Sequence, residues 1–337
     1  GWLAEHEPAL VARAEVALLP KDVLRAALAG PLVTDRSDAS ATLLWDVVAD
    51  GWADDVAQRT GVPGRLLPPV VAPDAVVGVT SWLAKVVDGV PSDVPVVAGA
   101  GDTPAALLAA GPAAGVQVNL GTGAQVLLPG AAAAAAADPL SHLYGDTDGG
   151  WYAMAAVQNA GLAVEWARRL LGMEWPELLA MLQHPGAGGG VTFLPFLTGE
   201  RGGLAQPGSR AAWLGLEQGT TREDLARAAV HAMAFAVRRA VELLPPGTAV
   251  DDVVRLTGGG SRAPVVQQLL ADVLGVAVQR VEVRSASATG AAVLAARGLG
   301  TVLAPHREQG PVVVPRPRPE LDAAYRLWLQ RNPVADL

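Results

Sequence analysis

Short apolar runs that end at glycines alternate with helix-like stretches along this chain. Runs rich in β-branched residues and closed by a glycine turn, the pattern of a strand, lie at 96–101, 116–121 and 253–258. Apolar residues recur at helical spacing over 161–172, 173–183, 221–244 and 263–274. This alternation of strands and helices predicts an α/β fold.

Local signals refine the second half of the chain. Thr220, followed three residues later by Glu223, predicts a capping box for the helix over 221–244. The run PVVVPRPRPE at 311–320 is typical of a proline-rich connector. The amphipathic pattern after it predicts a final helix over 319–331, which we expect to cross back to the first domain.

Size, charge and the absence of cysteine narrow the class of protein. A chain of 337 residues exceeds the comfortable size of one core and predicts two domains. No uninterrupted apolar run approaches the ~20 residues of a membrane span, which indicates a soluble globular protein. A net charge of -8 argues against nucleic acids and acidic membranes as partners and favours small metabolites. The lack of cysteine excludes disulfides and thiolate chemistry and fits a cytoplasmic protein.

The candidate chemistry lies in three glycine-rich segments, around Asp102, Thr122 and Gly259. Backbone N–H groups in such turns can close on phosphate oxygens because glycine has no side chain in the way. Asp102 follows an apolar strand and precedes a helix-compatible run, where a carboxylate can accept a proton from a substrate hydroxyl. Together these segments predict a phosphoryl-transfer enzyme.

Five motifs, in this order, make the chain resemble the FGGY family of carbohydrate kinases, and most closely its xylulokinase branch. They are LLPKDVLRAALAGPLVTDRSDASATLLWDV, GAGDTPAALLAAG, NLGTGA, FLPFLTGERGGL and TGGGSRAPVVQQLLADVLG. The resemblance covers most of the chain. It implies the actin-like ATPase (ribonuclease H-like) fold, in which two α/β domains with mixed five-stranded sheets hold ATP and sugar in the cleft between them.

The resemblance also implies a domain division. Residues 1–111 would be the remaining part of the N-terminal sugar-binding domain, residues 112–318 the C-terminal nucleotide-binding domain, and residues 319–337 the helix returning to the first domain. The family begins with a D-x-G-T-T-like loop that holds phosphate and metal, and this sequence has no such loop. We therefore expect the first domain to be incomplete and catalysis by this chain alone to be severely reduced.

For the sugar side of the site, the resemblance implies that Asp102 is the general base. The alternative is that Asp102 only caps the following helix, and both roles are compatible. Thr103 stands where xylulokinases commonly have an asparagine that contacts the ketose, so it is a candidate substrate contact and leaves the exact sugar open. Asp35 and Asp38 are expected to cap turns, with a direct sugar contact as the alternative.

For the phosphate side, Gly121, Thr122 and Gly123 resemble the loop that grips the γ-phosphate, although the family usually has serine at the third position. An ordinary β-hairpin turn is the alternative interpretation. In the same cleft, Glu200 and Arg201 belong to the GER loop, where the arginine either pairs with phosphate or forms an internal ion pair with the glutamate.

For the nucleoside side, Gly258, Gly259 and Gly260 are expected to lie against the nucleotide, with Ser261 capping the helix that follows. Trp175 resembles an aromatic residue that stacks on adenine in some xylulokinases; a packing anchor is the alternative.

The predicted function is ATP-dependent phosphorylation of a sugar hydroxyl, with D-xylulose or a related ketose or polyol as acceptor and Mg²⁺ held largely through the ATP phosphates. The alternative is a truncated or inactive kinase relative that acts as a nucleotide-binding or regulatory module. A homodimer is left open. A Rossmann dehydrogenase is disfavoured because GAGDTPAAL lacks the complete G-x-G-x-x-G spacing, and a Walker-type kinase because G-x-x-x-x-G-K-[ST] does not occur.

Overall fold

A computed structural model of the chain describes residues 2–80, 86, 88, 91–111, 115–134, 140–183, 190–200, 203–206, 208–245 and 253–332. Its helices are α1 Trp2–His6, α2 Pro8–Arg13, α3 Pro20–Ala29, α4 Arg36–Ser40, α5 Asp54–Arg59, α6 Asp102–Ala110, α7 Gly161–Leu170, α8 Trp175–Met181, α9 Arg222–Glu242, α10 Pro264–Leu274, α11 Ala286–Gly298 and α12 Pro319–Arg331. Among the described residues, no helix has both the length and the apolar character needed to cross a bilayer.

The strands before Gly111 are short. They are β1 Thr34–Asp35, β2 Trp45–Asp46, β3 Gly51–Trp52, β4 Val70–Val71, β5 Val76–Val79 and β6 Pro95–Val97. They pair as three two-stranded sheets, β1 with β4, β2 with β3, and β5 with β6. Within the residues that the structure describes, this part of the chain therefore has no larger sheet.

A larger sheet organises the rest of the chain. Its strands are β7 Gln117–Leu120, β8 Ala124–Pro129, β9 His142–Gly145, β10 Trp151–Val157, β13 Val253–Thr257, β14 Ala277–Glu282 and β15 Glu308–Val313, and the pair β11 Thr192–Leu194 and β12 Ala212–Leu214 lies apart from it. The order across this seven-stranded sheet is β15–β14–β13–β7–β8–β10–β9. β7 runs antiparallel to β8 and parallel to β13, so the sheet is mixed, as predicted, but it has seven strands instead of five.

Alternation along β7 and β8 gives the sheet two different faces. Val118, Leu120 and Val126 are fully buried in the core that also contains the alanine-rich side of α9. The residues between them, Asn119 and Gln125, point to the opposite face because successive strand side chains alternate. That opposite face is polar and lies towards α6.

The N-cap of helix α9 lies one residue after the predicted one. Thr221 is the N-cap, and its hydroxyl accepts from the backbone N–H of Asp224 while the Asp224 side chain accepts from the Thr221 N–H. The prediction that used Thr220 and Glu223 is therefore wrong in register. The sequence offers two adjacent Thr-x-x-acid patterns, and in the structure the Thr220 hydroxyl accepts from the backbone N–H of Glu217 at 2.9 Å instead of capping the helix.

Helices α6 and α11 join the two parts of the chain. They pack against each other so closely that a Cβ atom at Gly290 would lie 1.8 Å from the carbonyl oxygen of Ala105. Small residues make this approach sterically available, since Ala105 and Ala109 are buried at the contact side of α6. The first residue of α6 is thereby held beside the sheet.

The prediction that the last helix returns to the first domain is wrong. Leu321, Tyr325 and Trp328 of α12 are buried in the core of the second part, and Trp328 Nε1 donates to the carbonyl oxygen of Phe193 at 3.0 Å. The supposed connector before it also contains structure: β15 pairs antiparallel with β14 although it includes Pro311. An edge strand tolerates proline because one side of its backbone makes no ladder hydrogen bonds.

Candidate functional site

One cavity of about 990 Å³ brings together residues from distant parts of the sequence. It lies between the polar face of the sheet and helices α6 and α11, and its lining includes Asp102 and Thr103 from α6 and Gly258 and Gly259 from the loop after β13. The predicted base and the predicted nucleotide loop therefore line the same cavity, although they are far apart in the sequence.

Asp102 is the first residue of α6, and its side chain is exposed. The N-cap position belongs to Gly101, and no side-chain hydrogen bond caps the helix. The capping alternative for Asp102 is therefore wrong. The Thr103 hydroxyl donates to Asp102 Oδ1 at 3.2 Å, so the carboxylate is oriented by its neighbour while it remains open to the cavity.

A buried charge cluster supports the loop that leads into α6. Lys21 Nζ lies 2.7 Å from Asp22 Oδ1, 3.0 Å from Asp35 Oδ1 and 3.4 Å from Asp38 Oδ2, and it donates to the Ala98 carbonyl oxygen at 3.3 Å. Although burial opposes the charged form, the carboxylates of Asp35 and Asp22 hold the pKa of Lys21 above its ordinary value. The ammonium group therefore stays charged and holds the backbone just before the predicted base.

A second contact holds the other end of the same loop. Ser37 Oγ donates to Asp35 Oδ2 at 2.5 Å and accepts from the Gly101 N–H at 2.9 Å. Asp35 also accepts from the Ser37 N–H and so caps α4, which confirms the capping role expected for Asp35. The side chain of Asp35 is too deeply buried to reach a sugar.

Asp38, the third carboxylate around Lys21, carries an unfavourable charge. Burial, opposed by Lys21 and reinforced by Asp35 and Asp22, raises the pKa of Asp38 to about 6. Its folded-state pKa thus lies above that of an unfolded aspartate, and folded protein binds more protons between pH 4 and 6. The contribution of Asp38 to stability is therefore most favourable below about pH 4 and is lost as the pH rises through about 6.

We expect Asp38→Asn to stabilise the fold at pH 7.5 and to have little effect at pH 4. The full shift corresponds to about 3 kcal/mol, which solvent screening reduces to about 1–2 kcal/mol. Denaturant unfolding at both pH values measures the difference. Asp55→Asn, a change at an exposed aspartate of α5, is the control for loss of a carboxylate outside this cluster. An Asp38→Asn protein that is less stable at pH 7.5 than at pH 4, relative to the unchanged chain, would contradict the burial argument.

The turn at Gly121, Thr122 and Gly123 is a tight connection between β7 and β8. Thr122 is exposed, and the Gly121 N–H donates to the Gly123 carbonyl oxygen at 2.8 Å. A Cβ atom at Gly123 would lie 2.6 Å from the carbonyl oxygen of Val157, so this packing disfavours the serine usual in the family. The hairpin-turn interpretation is thus correct as structure, and the phosphate contact stays a prediction.

The glycine turn after β13 lies directly beside the β7–β8 turn. A Cβ atom at Gly258 would lie 2.4 Å from the Leu120 carbonyl oxygen, and one at Gly260 would lie 2.8 Å from Leu120 Cγ. Gly258 also has a φ of +84°, which favours glycine. Because Leu120 immediately precedes Gly121, the structure brings the two predicted phosphate and nucleotide turns into contact.

Ser261 has a different role from the predicted one. It is fully buried in a 3₁₀ turn over Gly259–Ser261, and its hydroxyl donates to the Gly258 carbonyl oxygen at 2.9 Å. Helix α10 starts later, with Ala263 at the N-cap and no side-chain cap. The prediction that Ser261 caps this helix is wrong; its side chain is buried, and its contact with a nucleotide stays a prediction. Ser261 stabilises the turn instead.

Other candidate residues are held by protein contacts. Trp175 begins α8, and the Arg168 guanidinium lies 5.5 Å from its ring centroid, so the structure shows the packing anchor while adenine stacking stays a prediction. Glu200 is buried and accepts from the backbone N–H groups of Gln158 and Asn159. Arg201 lies outside the described residues.

Sequence reasoning missed Lys21, Asn119 and Gln125. Asn119 and Gln125 could have been found from the alternation in NLGTGAQ, because polar residues on one face of a buried hairpin require partners. No sequence signal indicated that Lys21 reaches Ala98, since that contact joins positions 77 residues apart.

Two family models match most of the chain. The model for the N-terminal domain of the FGGY family of carbohydrate kinases matches residues 1–109, and the model for its C-terminal domain matches residues 116–299. The chain is 31% identical over 309 residues to a xylulose kinase of Staphylococcus epidermidis and 33% identical over 315 residues to a glycerol kinase of Alkalilimnicola ehrlichii, covering 89% of this chain in each case.

The fold is likewise shared with solved structures. The xylulose kinase from Rhodospirillum rubrum superposes on this chain with a TM-score of 0.83 at 29% identity. The matched region covers 97% of this chain and 69% of that kinase. The predicted actin-like, ribonuclease H-like fold is confirmed. The chain spans 61% of the length of the Staphylococcus relative and 62% of that of the Alkalilimnicola relative.

Proposed function

This chain belongs to the FGGY family of carbohydrate kinases, and we propose that it supplies the catalytic base and the nucleotide turns for transfer of the γ-phosphoryl group of ATP to a hydroxyl of a sugar or polyol. The single observation that carries the proposal is that Asp102 and the Gly258–Gly259 turn line the same cavity. A base and a phosphate-binding turn on one space are what phosphoryl transfer requires.

Asp102 takes the proton from the acceptor hydroxyl as that oxygen attacks the γ-phosphorus, which contributes roughly 10²–10⁴-fold in rate. Asp102 is the first residue of α6, so the start of this helix places its carboxylate at the cavity. The turns at Gly121–Gly123 and Gly258–Gly260 place backbone N–H groups near the phosphates, where they stabilise the charge of the transferred group.

Magnesium would be held mainly by the nucleotide. Among the described residues, no group of three or more acidic, histidine or cysteine side chains could hold a metal ion. Mg²⁺ commonly keeps several waters and binds through substrate phosphates with one or two carboxylates, and the cavity lining offers those of Asp102, Glu282 and Glu308. The residues therefore fit an ion that arrives with ATP.

The acceptor that we propose is D-xylulose or a related ketose or polyol. The proteins of similar sequence include xylulose kinases and a glycerol kinase, which share a polyhydroxylated acceptor. Thr103 lines the cavity next to the base and is the proposed acceptor contact, and its short side chain leaves the exact sugar open. We further propose residues 1–111 as part of the sugar-binding domain and residues 112–318 as the nucleotide-binding domain, with the last helix belonging to the latter.

Phosphorylation assays test the function. A full-length protein that contains this chain is incubated with Mg²⁺–ATP and a panel of pentuloses, hexuloses, glycerol and pentitols, and ADP release is followed by a coupled assay. We expect acceptor-dependent ADP release with at least one ketose or polyol. ADP binding by calorimetry without turnover of any acceptor would instead support a nucleotide-binding or regulatory module.

A further inference from the structure

A row of polar side chains crosses the sheet from the nucleotide turn to the predicted base. Thr257 Oγ1 donates to Asn119 Oδ1 at 3.4 Å, Asn119 Nδ2 donates to Gln125 Oε1 at 3.1 Å, and Gln125 Nε2 donates to Thr103 Oγ1 at 3.4 Å. The Thr103 hydroxyl completes the row by donating to Asp102 Oδ1 at 3.2 Å. Each of the four hydrogen bonds joins two side chains on different elements or at different helix positions.

The row follows directly from strand register. Thr257 is paired with Asn119 across β13 and β7, and Asn119 is paired with Gln125 across β7 and β8. Paired residues point to the same face, and neighbouring strands lie about 4.8 Å apart, so three polar side chains stand side by side. The residues next to them in sequence, Val118 and Leu120, are buried on the other face and fix the register.

The carboxylate sets the direction of the row. An ionised aspartate can only accept, so the Thr103 hydroxyl must donate to Asp102 and use its lone pairs for Gln125. Each amide then has its donor towards Asp102 and its acceptor towards Thr257, as the structure shows. Hydrogen bonds aligned in one direction polarise one another, and those that end on a charge are the stronger ones.

The other end of the row contacts the nucleotide turn. A Cβ atom at Gly258 would lie 2.7 Å from Asn119 Oδ1, so the asparagine packs directly against the turn, and Thr257 immediately precedes Gly258. Movement of the turn relative to α6 would break at least one hydrogen bond of the row. The row thus spans the gap across which a phosphoryl group would be transferred.

We infer that Asn119 and Gln125 are positioning residues, which fix the distance and orientation of Asp102 relative to the Gly258 turn. The catalytic consequence rests on the proposed function, but the mechanical coupling does not. Gln125 is the decisive member because it alone connects the sheet to α6 through a side-chain donor in this row.

Hydrogen–deuterium exchange on the full chain tests the coupling without any substrate. We expect Gln125→Met to accelerate amide exchange over 99–106 by about fivefold, the effect of losing about one net hydrogen bond. Gln117→Met is the matched control. Gln117 is a buried glutamine that lies on the same face of β7 as Asn119, and within the described residues its Oε1 has no hydrogen-bond partner. Exchange over 99–106 should therefore not change in this variant.

Gln125→Glu separates the donor from the packing. The carboxylate keeps the length of the side chain and the acceptor for Asn119 but has no N–H for Thr103. Gln125 is partly exposed in the cavity, so the charged variant should fold. Acceleration in both the Met and the Glu variants supports the inference; exchange over 99–106 that is unchanged in both, or changed equally in Gln117→Met, overturns it.

Kinetics distinguish this inference from the proposed function. In a full-length protein that phosphorylates a sugar, we expect Gln125→Met to lower kcat about tenfold with little change in the KM for ATP, because a misplaced base slows the transfer rather than binding. If exchange responds as expected but the unchanged protein phosphorylates no acceptor, the positioning role stands and the proposed function fails. If the protein is an active kinase but neither exchange nor kcat changes in the Gln125 variants, the proposed function stands and the positioning role fails.

Discussion

Asp102→Asn is expected to lower sugar phosphorylation by about 10²–10⁴-fold while the affinity for ADP is largely retained. An amide keeps the shape of the carboxylate and can accept from Thr103, but it cannot take the proton of the acceptor hydroxyl. The loss should therefore appear in kcat more than in nucleotide binding. Steady-state kinetics and calorimetry with ADP on a full-length protein that contains this chain measure both quantities.

Asp54→Asn is the matched control for this change. Asp54, like Asp102, is an exposed aspartate at the first position of a helix that has no side-chain cap. Loss of a favourable charge at a helix N-terminus costs about 0.3–1 kcal/mol in either variant, so stability effects should be similar. Near-normal turnover by Asp102→Asn would mean that the carboxylate contributes only to helix stability and that the base lies elsewhere.

The hairpin of β7 and β8 was predictable because its apolar residues repeat with the period of a strand. Val118, Leu120 and Val126 form one buried face, and the glycines mark the turn between the strands. The destination of α12 was not predictable in the same way. Its amphipathic pattern identifies a buried side that contains Trp328, but a pattern does not specify which surface that side packs against.

The site shows the same division between local and tertiary information. The glycine-rich turns and the strand before Asp102 are local features, so the sequence motifs were enough to locate them along the chain. Ser261 was misjudged because its hydroxyl is committed to the turn itself, which depends on close packing of the turn against Leu120. The support of Asp102 by Lys21 depends on a contact between two distant segments, so no spacing rule could reveal it.

Gly259→Asp is expected to weaken ADP binding by at least about fivefold, because a carboxylate within about 4 Å of a phosphate costs about 1–4 kcal/mol between bulk water and a partly shielded site. The structure makes this position suitable for the test. A Cβ atom at Gly259 would meet no atom within 4 Å, and its φ lies outside the left-handed region, so a side chain fits without strain. Loss of affinity would therefore report charge at the nucleotide turn and not misfolding.

Two controls isolate that charge effect. Gly259→Ala adds the Cβ atom alone and should leave ADP affinity within about twofold, since the space is open. Gly219→Asp adds the same charge at an exposed glycine in the turn before α9, where a Cβ atom also meets nothing within 4 Å, and it should leave ADP affinity unchanged. The assignment of the turn to the nucleotide requires that only Gly259→Asp reduce the affinity. Equal affinities for Gly259→Asp and Gly259→Ala in folded proteins would place the phosphates away from this turn, because two negative groups brought together in a partly enclosed cavity must repel.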